Sequence, residues 1–337
     1  MHFQLVLWLK AGNRFVQCSR FWRNDYGRLA ATAYLAAIRK YAPGSRVLDL
    51  GCGTGFFTLA ALEMGAAHVT AIDLADGVRL LPRVIVENEY QDRCEVFHGD
   101  IADLNSEPFD LIISDLRGSL PLFRNQFAVI SDVRQRLLKN DGVFLPTRDK
   151  IVCGLAEVNN WWEKTTAPYR LDEHNWGAYI QYELSQATRL DKLCEDSLIS
   201  TTHVWDEIEY ADFDGLSKKY RGKDFKLSAT RSGRCHGLAV WFETELTDGI
   251  GYSTGPSSHL PTYGRQFFPF SKVASIRAGQ TARVYLHANH IQDNWVWEWA
   301  LKIESHSATH STLDSLPLGA SVEKNNVLER NKCQKIL

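Results

Sequence analysis

Seven consecutive residues, Asp49-Leu50-Gly51-Cys52-Gly53-Thr54-Gly55, carry the strongest chemical signal in the chain. An apolar run, Arg46 to Leu50, leads into them, and a helix-forming stretch, Phe57 to Met64, follows. Glycines at alternate positions allow positive φ and leave no Cβ between backbone and ligand. The first turn of the following helix adds free N–H groups. A turn of this kind holds a nucleoside cofactor, and two cofactor classes use it. The spacing here is GxGxG, with Asp49 two residues before the first glycine. A carboxylate there suits an ammonium group and would repel a pyrophosphate. The pattern therefore favours S-adenosylmethionine, with S-adenosylhomocysteine as product, over a nicotinamide dinucleotide.

Two further acids fall where such a cofactor needs them. Asp73, followed by Leu74, ends the next strand, where a carboxylate can accept both ribose hydroxyls. Dinucleotide enzymes share that feature. Asp100 follows the third strand, in Phe97-His98-Gly99-Asp100-Ile101. It can bond the adenine amino group, with the Ile101 N–H on a ring nitrogen. One acid at a strand end reads equally well as a solvated loop carboxylate. Three at successive strand ends match the ligand crevice of an open sheet. Gly51, Cys52, Gly53, Gly55, Leu74, Ile101 and Ser114 complete the expected cofactor site.

The elements that must position these residues alternate between helix and strand. Ala30 to Lys40 is rich in good helix formers. Strands are expected at Arg46 to Leu50, His68 to Asp73, Glu95 to His98, Leu111 to Ser114 and Val143 to Leu145, with a helix over Val129 to Leu138. This alternation implies a Rossmann-like α/β domain with a parallel sheet, over residues 25–147. After Pro146 the texture changes. Gly237 to Leu246, Val273 to Ile276, Ala282 to Ala288 and Val296 to Ile303 have strand composition and lack intervening helices, which implies an all-β, barrel-like domain over 148–305. Trp295, Trp297 and Trp299 alternate and are expected in its core. Residues 1–24 form an N-terminal segment, and 306–337 a polar tail.

Bulk properties narrow the function. The chain has 337 residues, 45% apolar and 23% charged, enough for two domains. A formal net charge of -2 argues against a general nucleic-acid surface. The seven cysteines include no CxxC pair, which fits a reduced, cytoplasmic setting. The apolar run Phe3 to Leu9 is too short to span a bilayer, so no membrane role is expected. His98, His174, His236, His287 and His290 suggest no metal: His287 and His290 lie three apart in a strand region and point to opposite faces.

With these residues in view, the sequence resembles the protein arginine methyltransferases, from about Asp25 to Ile303. The stretch Phe109-Asp110-Leu111-Ile112-Ile113-Ser114-Asp115-Leu116-Arg117-Gly118 is similar to that family's substrate loop. Asp141-Gly142-Val143-Phe144-Leu145-Pro146 resembles the end of its cofactor domain. His236 to Leu246 and Gly251 to Pro256 resemble strands of its barrel. The resemblance implies a helical arm, here about 161–196 and shortened, through which two copies form a homodimer. It also implies that Arg28, in Asp25-Tyr26-Gly27-Arg28, pairs with the cofactor's carboxylate.

The chain departs from the family where the acceptor would bind. The family's two substrate-gripping glutamates fall on Asp115, a shorter acid, and on Arg124, a cation. Its Thr-His-Trp loop falls on Thr262-Tyr263-Gly264. Asp115 is either the group nearest the methyl, holding or accepting an acceptor proton, or a capping or loop carboxylate. Arg117 and Arg124 either bind an acceptor carboxylate or carbonyl or pair with Asp115. Tyr263 either lines the pocket from the barrel or packs between domains. The set Asp115, Arg117, Arg124 and Tyr263 implies transfer to an N, C or O atom of a small molecule. An indole- or amino-acid-derived metabolite suits aromatic walls and one acid. Two alternatives stand beside this: arginine methylation through a divergent pocket, and a non-catalytic, cofactor-binding partner subunit.

Overall fold

A computed structural model describes residues 25–170, 173–256, 264–304 and 306–311. The first domain follows the expected alternation: α1 (Asp25–Tyr41), β1 (Arg46–Leu50), α2 (Phe56–Glu63), β2 (His68–Asp73), α3 (Leu81–Glu87), β3 (Cys94–His98), β4 (Phe109–Ser114), α4 (Gln126–Leu137) and β5 (Leu138–Leu145). Its sheet runs β3-β2-β1-β4-β5, all parallel. Helices cover both faces, so β1 is buried from Val47 to Leu50, apolar except for Asp49. In α1, Ala30, Ala33, Tyr34, Ala37 and Ile38 are all buried, at the spacing of one helical face. Strand order reverses between β1 and β4, where an open sheet leaves its ligand crevice.

The second domain is antiparallel. It comprises β6 (Arg148–Ala156), α5 (Asn159–Thr166), α6 (Gly177–Leu184), β7 (Thr188–Leu190), β8 (His203–Glu209), α7 (Phe213–Ser217), β9 (Tyr220–Ser228), β10 (Gly233–Thr247), β11 (Ile250–Ser253), β12 (Arg265–Ile276), β13 (Thr281–Ile291), β14 (Asn294–Ile303) and β15 (His306–Ser311). One sheet runs β7-β12-β10-β6-β8, with β11 on β10, and the other runs β15-β14-β13-β9. Two indoles stitch the sheets: Trp205 Nε1 donates to the Leu286 carbonyl and Trp299 Nε1 to that of Pro269, each at 2.8 Å. Burying an indole is favourable when its N–H finds such an acceptor.

Three details depart from the sequence expectations. Trp297 and Trp299 lie in the core between the two antiparallel sheets, whose closure into a barrel is not part of the described strand pairing, but Trp295 is only half-buried and packs edge-on against Phe127 of α4, 6.0 Å away, at the seam with the first domain. The strand β15 lies inside the segment read as a polar tail, so the sheet continues six residues further. In the arm region, Trp161 packs on Phe267 at 4.8 Å and Trp162 is buried against His236, so both fasten the base of the arm to its own barrel. The exposed aromatics are further along: Trp176, Tyr179 and Tyr182. Among the described residues no helix is long and apolar enough to cross a membrane.

Candidate active site

The glycine turn leaves β1 at the centre of the parallel sheet. Gly51, Gly53 and Gly55 have φ of 77°, 55° and 84°, a left-handed conformation that L side chains rarely adopt. At Gly51 a Cβ would stand 2.6 Å from Leu116 Cδ2, so the turn packs directly under the loop that follows β4. At Gly53 a Cβ would meet nothing within 4 Å, so it would project into open space in the cradle. Cys52 is buried, and burial pushes its thiol pKa up.

The acids at the strand ends are in different states. Asp49 is 2% exposed, and its Oδ2 accepts a 2.6 Å hydrogen bond from Thr58 Oγ1. Desolvation raises its pKa to about 7, against the Thr58 hydrogen bonds and with help from Asp73 and Asp115. Asp73 is partly exposed. Its Oδ2 accepts from the Gly53 N–H and its Oδ1 from the Ala75 N–H, both at 2.7 Å, which ties the second strand to the turn. Leu74 beside it is 71% exposed. Asp100 Oδ1 accepts from the Ala102 N–H at 3.0 Å, and Ile101 is buried below it. Ser114, also buried, ends β4, and its carbonyl accepts from Tyr34 OH at 2.8 Å. Arg28 occupies the first turn of α1, but its side chain lies outside the described residues.

Arg117 sits in the tightest polar cluster. Its guanidinium is buried and donates to Asp115 Oδ1 through Nε at 3.1 Å and Nη2 at 3.0 Å. It also donates to Asp149 Oδ1 at 2.9 Å, Thr244 Oγ1 at 2.7 Å and Tyr34 OH at 2.5 Å. Asp149 is fully buried and accepts from Tyr210 OH at 2.5 Å. Desolvation opposes the Arg117 charge, but Asp149, then Tyr252, Tyr34 and Asp115 outweigh it and hold the pKa well above its ordinary value. Of the two roles open to Arg117, the structure favours the internal ion pair with Asp115.

Arg124 does not join this cluster. It is exposed, at φ 48°, with its guanidinium over the Phe123 ring at 5.3 Å, while its carbonyl lies 3.0 Å from His290 Nε2. Tyr263 lies outside the described residues. Sequence reasoning missed Tyr34, Asp149, Tyr210 and Thr244. Asp149 lies 32 residues after Arg117 and Thr244 lies 127 after, and no local motif links them. Among the described residues no group of three His, Cys, Asp or Glu side chains is placed to hold a metal.

Residues 42–187 match a family model described as a methyltransferase domain. The chain is 24% identical over 251 residues to protein arginine N-methyltransferase 1 of Schizosaccharomyces pombe, covering 70% of this chain and 71% of the relative. It is 26% identical over 259 residues to protein arginine N-methyltransferase 1 of Dictyostelium discoideum, covering 74% and 75%. Among solved structures, the Trypanosoma brucei PRMT1 enzyme–prozyme heterotetrameric complex with AdoHcy matches with a TM-score of 0.74 at 16% identity, covering 84% of this chain and 95% of that one. Arabidopsis thaliana protein arginine methyltransferase 10 matches with a TM-score of 0.70 at 20% identity, covering 85% and 95%. The chain is an S-adenosylmethionine-dependent methyltransferase of class I that resembles the protein arginine methyltransferases.

The Arg117 cluster generates a stability prediction. Arg117→Met would leave Asp115 and Asp149 buried without their counter-charge. The loss expected is about 3–5 kcal/mol, the range for breaking a buried ion pair by removing one partner. Urea denaturation should show it, and Asp149→Asn in the same chain should recover part of it. A loss under 1 kcal/mol would mean that the cluster does not hold the domains together.

Proposed function

We propose that this enzyme transfers the methyl group of S-adenosylmethionine to a neutral N, C or O nucleophile of a small molecule, and not to a guanidinium. One observation carries the reading: Asp115 Oδ1 is already held by two N–H groups of the chain's own Arg117. The oxygen that would grip an acceptor guanidinium is already occupied from within. The other expected grip is Arg124, a cation standing over Phe123. A guanidinium held by two carboxylates owes its orientation to both, and misalignment alone can cost about a hundredfold in rate.

The turn fits the cofactor, since Gly53 opens on free space and Asp73 stands partly exposed at its edge. When bound, S-adenosylmethionine supplies an electrophilic methyl on a sulfonium. In this reading Asp73 takes the ribose hydroxyls, Asp100 and the Ile101 N–H the adenine, Asp49 the ammonium and Arg28 the carboxylate. Cys52, Leu74 and Ser114 pack around it. Asp115, fixed by Arg117, orients the nucleophile through an acceptor N–H or O–H. A neutral nucleophile in line with the methyl requires alignment and exclusion of water more than a strong base.

The relatives favour a second reading. The first matches are named protein arginine N-methyltransferases, which supports arginine methylation through an altered pocket. A radiolabelled transfer assay separates the two. The first reading expects turnover on a panel of indole- and amino-acid-derived metabolites and none on arginine-rich proteins. Methylarginine formation that disappears in Asp115→Asn would establish the second. Cofactor binding without transfer to any acceptor would instead point to a non-catalytic partner subunit.

The Asp49 pKa gives a test of the cofactor assignment. A carboxyl titrating near 7 in the free protein ionises when a cationic group arrives. Binding should therefore release a proton below about pH 7, and affinity for S-adenosylmethionine should rise from pH 6 to pH 8. Calorimetry in two buffers of different ionisation enthalpy measures this directly. No proton release at pH 6 would remove Asp49 from the cofactor site.

The assembly reading is a homodimer formed through the arm. Its support is the exposed aromatic surface of Trp176, Tyr179 and Tyr182, with Leu80 and Val86 exposed on the first domain as a candidate receiving surface. The unpaired thiols of Cys52, Cys94, Cys153, Cys194 and Cys235 fit a reduced cytoplasm. Light scattering should give twice the chain mass, and Tyr179→Glu should shift it toward the monomer. A monomer across the micromolar range would overturn the dimer.

A further inference from the structure

A second concavity opens between the loop that leaves β4 and the barrel. It holds about 400 Å³, within the range of pockets for small metabolites. Its walls are the loop from Gly118 to Phe123, Arg189 of β7, Gln266 of β12 and Trp297 of β14. The loop is the same one that carries Asp115, and Leu116 packs it onto the glycine turn. The cavity is therefore built from the expected acceptor loop on one side and from the barrel on the other.

The walls are flat and apolar in part. Phe123 lies against the Gly118 backbone, where a Cβ would stand only 2.9 Å from Phe123 Cδ2. Trp297 is 93% buried, wedged against Trp205 and Phe268 at 5.4 and 5.0 Å, and lines the cavity with what remains. The Trp297 ring is held by its neighbours, while Phe123, 45% exposed, lies between the Gly118 backbone and the Arg124 guanidinium and offers a ring face to an aromatic ligand.

Among the described lining residues Arg189 is the one that carries a charge. Arg189 and Gln266 are register partners across the β7–β12 pair. Gln266 Nε2 donates to the Thr188 carbonyl at 3.1 Å, which fixes the amide. Gly264, at φ 69°, lets the arginine lie close: a Cβ there would stand 2.5 Å from Arg189 Nε. Arg189 also pairs with Asp191 at 2.7 Å, but both side chains are half exposed or more. Exposed pairs of this kind contribute about 0–1 kcal/mol, so a ligand carboxylate can compete for the guanidinium.

We propose that this cavity receives the methyl acceptor, and that the acceptor is a flat, anionic molecule: an aromatic ring against Phe123 and Trp297, with a carboxylate on Arg189. This rests on the reading that the acceptor is not a guanidinium, and it names the class of molecule that the reading left open. A cationic acceptor would meet the Arg189 guanidinium, whereas a carboxylate that displaces Asp191 from it gains a charge-assisted, fork-shaped partner.

The test uses the full chain saturated with S-adenosylhomocysteine and two probes of nearly equal shape, indole-3-acetate and the neutral indole-3-acetamide. Calorimetry should show the acid binding about tenfold more tightly than the amide, as a charged hydrogen bond would produce. Arg189→Gln should reduce that ratio to about twofold or less, while Arg283→Gln, outside the cavity, should preserve it. Equal affinities, a preference that survives Arg189→Gln, or no binding of either probe at millimolar concentration would overturn the assignment. The methylarginine assay fails separately. Methylarginine produced by a protein whose cavity still selects the acid would sink the acceptor reading. Loss of acid selectivity in a protein that leaves arginine unmodified would sink the cavity assignment alone.

Discussion

A guanidinium taken out of water must find acceptors on every side from which water has been removed. Arg117 meets that demand with groups from both halves of the chain: Tyr34 of α1, Asp115 of its own loop, Asp149 of β6 and Thr244 of β10. None of these elements could move far without leaving a buried charge exposed to low dielectric. The cluster therefore sets how the parallel sheet meets the barrel, and it fixes the first residues of the acceptor loop. Tyr210 extends the network one step further by donating to the second oxygen of Asp149.

The same cluster decides the electrostatics at the start of the loop that follows β4. An acid at position 115 with an open face would act as a sink for cations. Here its Oδ1 is taken by Arg117, a cation it shares with Asp149, so it can orient a polar hydrogen but presents only part of a carboxylate to an incoming cation. Arginine thus enters the loop twice with different consequences. At 117 it is buried and structural, and at 124 it is exposed and stacked on an aromatic ring.

How much of this was legible in the sequence depends on the range of the interaction concerned. The glycine turn and the strands β1, β2 and β4 were readable because local rules govern them: apolar runs covered on both faces, and glycines at positive φ. The alternating half-buried strand β9 was not, because its exposed positions carry Tyr220, Lys223, Asp224 and Lys226 and mask the buried Arg221, Phe225 and Leu227. β6 opens with Arg148, Asp149 and Lys150, which reads as a solvated turn until Arg117 is known to meet Asp149. Arg265 shows the limit of this kind of reading. It is fully buried, satisfied by the carbonyls of Thr254, Gly255 and Asp191, and no pattern in the neighbouring residues announces it. In the candidate site, Asp49, Asp73 and Asp100 stand at or just after successive strand ends, an order that local sequence displays, while the partners of Arg117 are distant along the chain.

The contact between Gly51 and Leu116 carries a consequence for how such an enzyme can diversify. The absent Cβ at 51 is the space that the Leu116 side chain fills, so the two positions form one packing unit across the cofactor turn and the acceptor loop. A lineage acquiring a new acceptor can rewrite the loop from Gly118 onward with little penalty to the turn. A change at 116 is coupled to the cofactor turn, because a bulkier side chain would press on its backbone and a smaller one would leave a void beneath the loop. Innovation in this scaffold is therefore expected to begin at Gly118, beyond the buried Arg117, with the residues before it changing slowly and in concert.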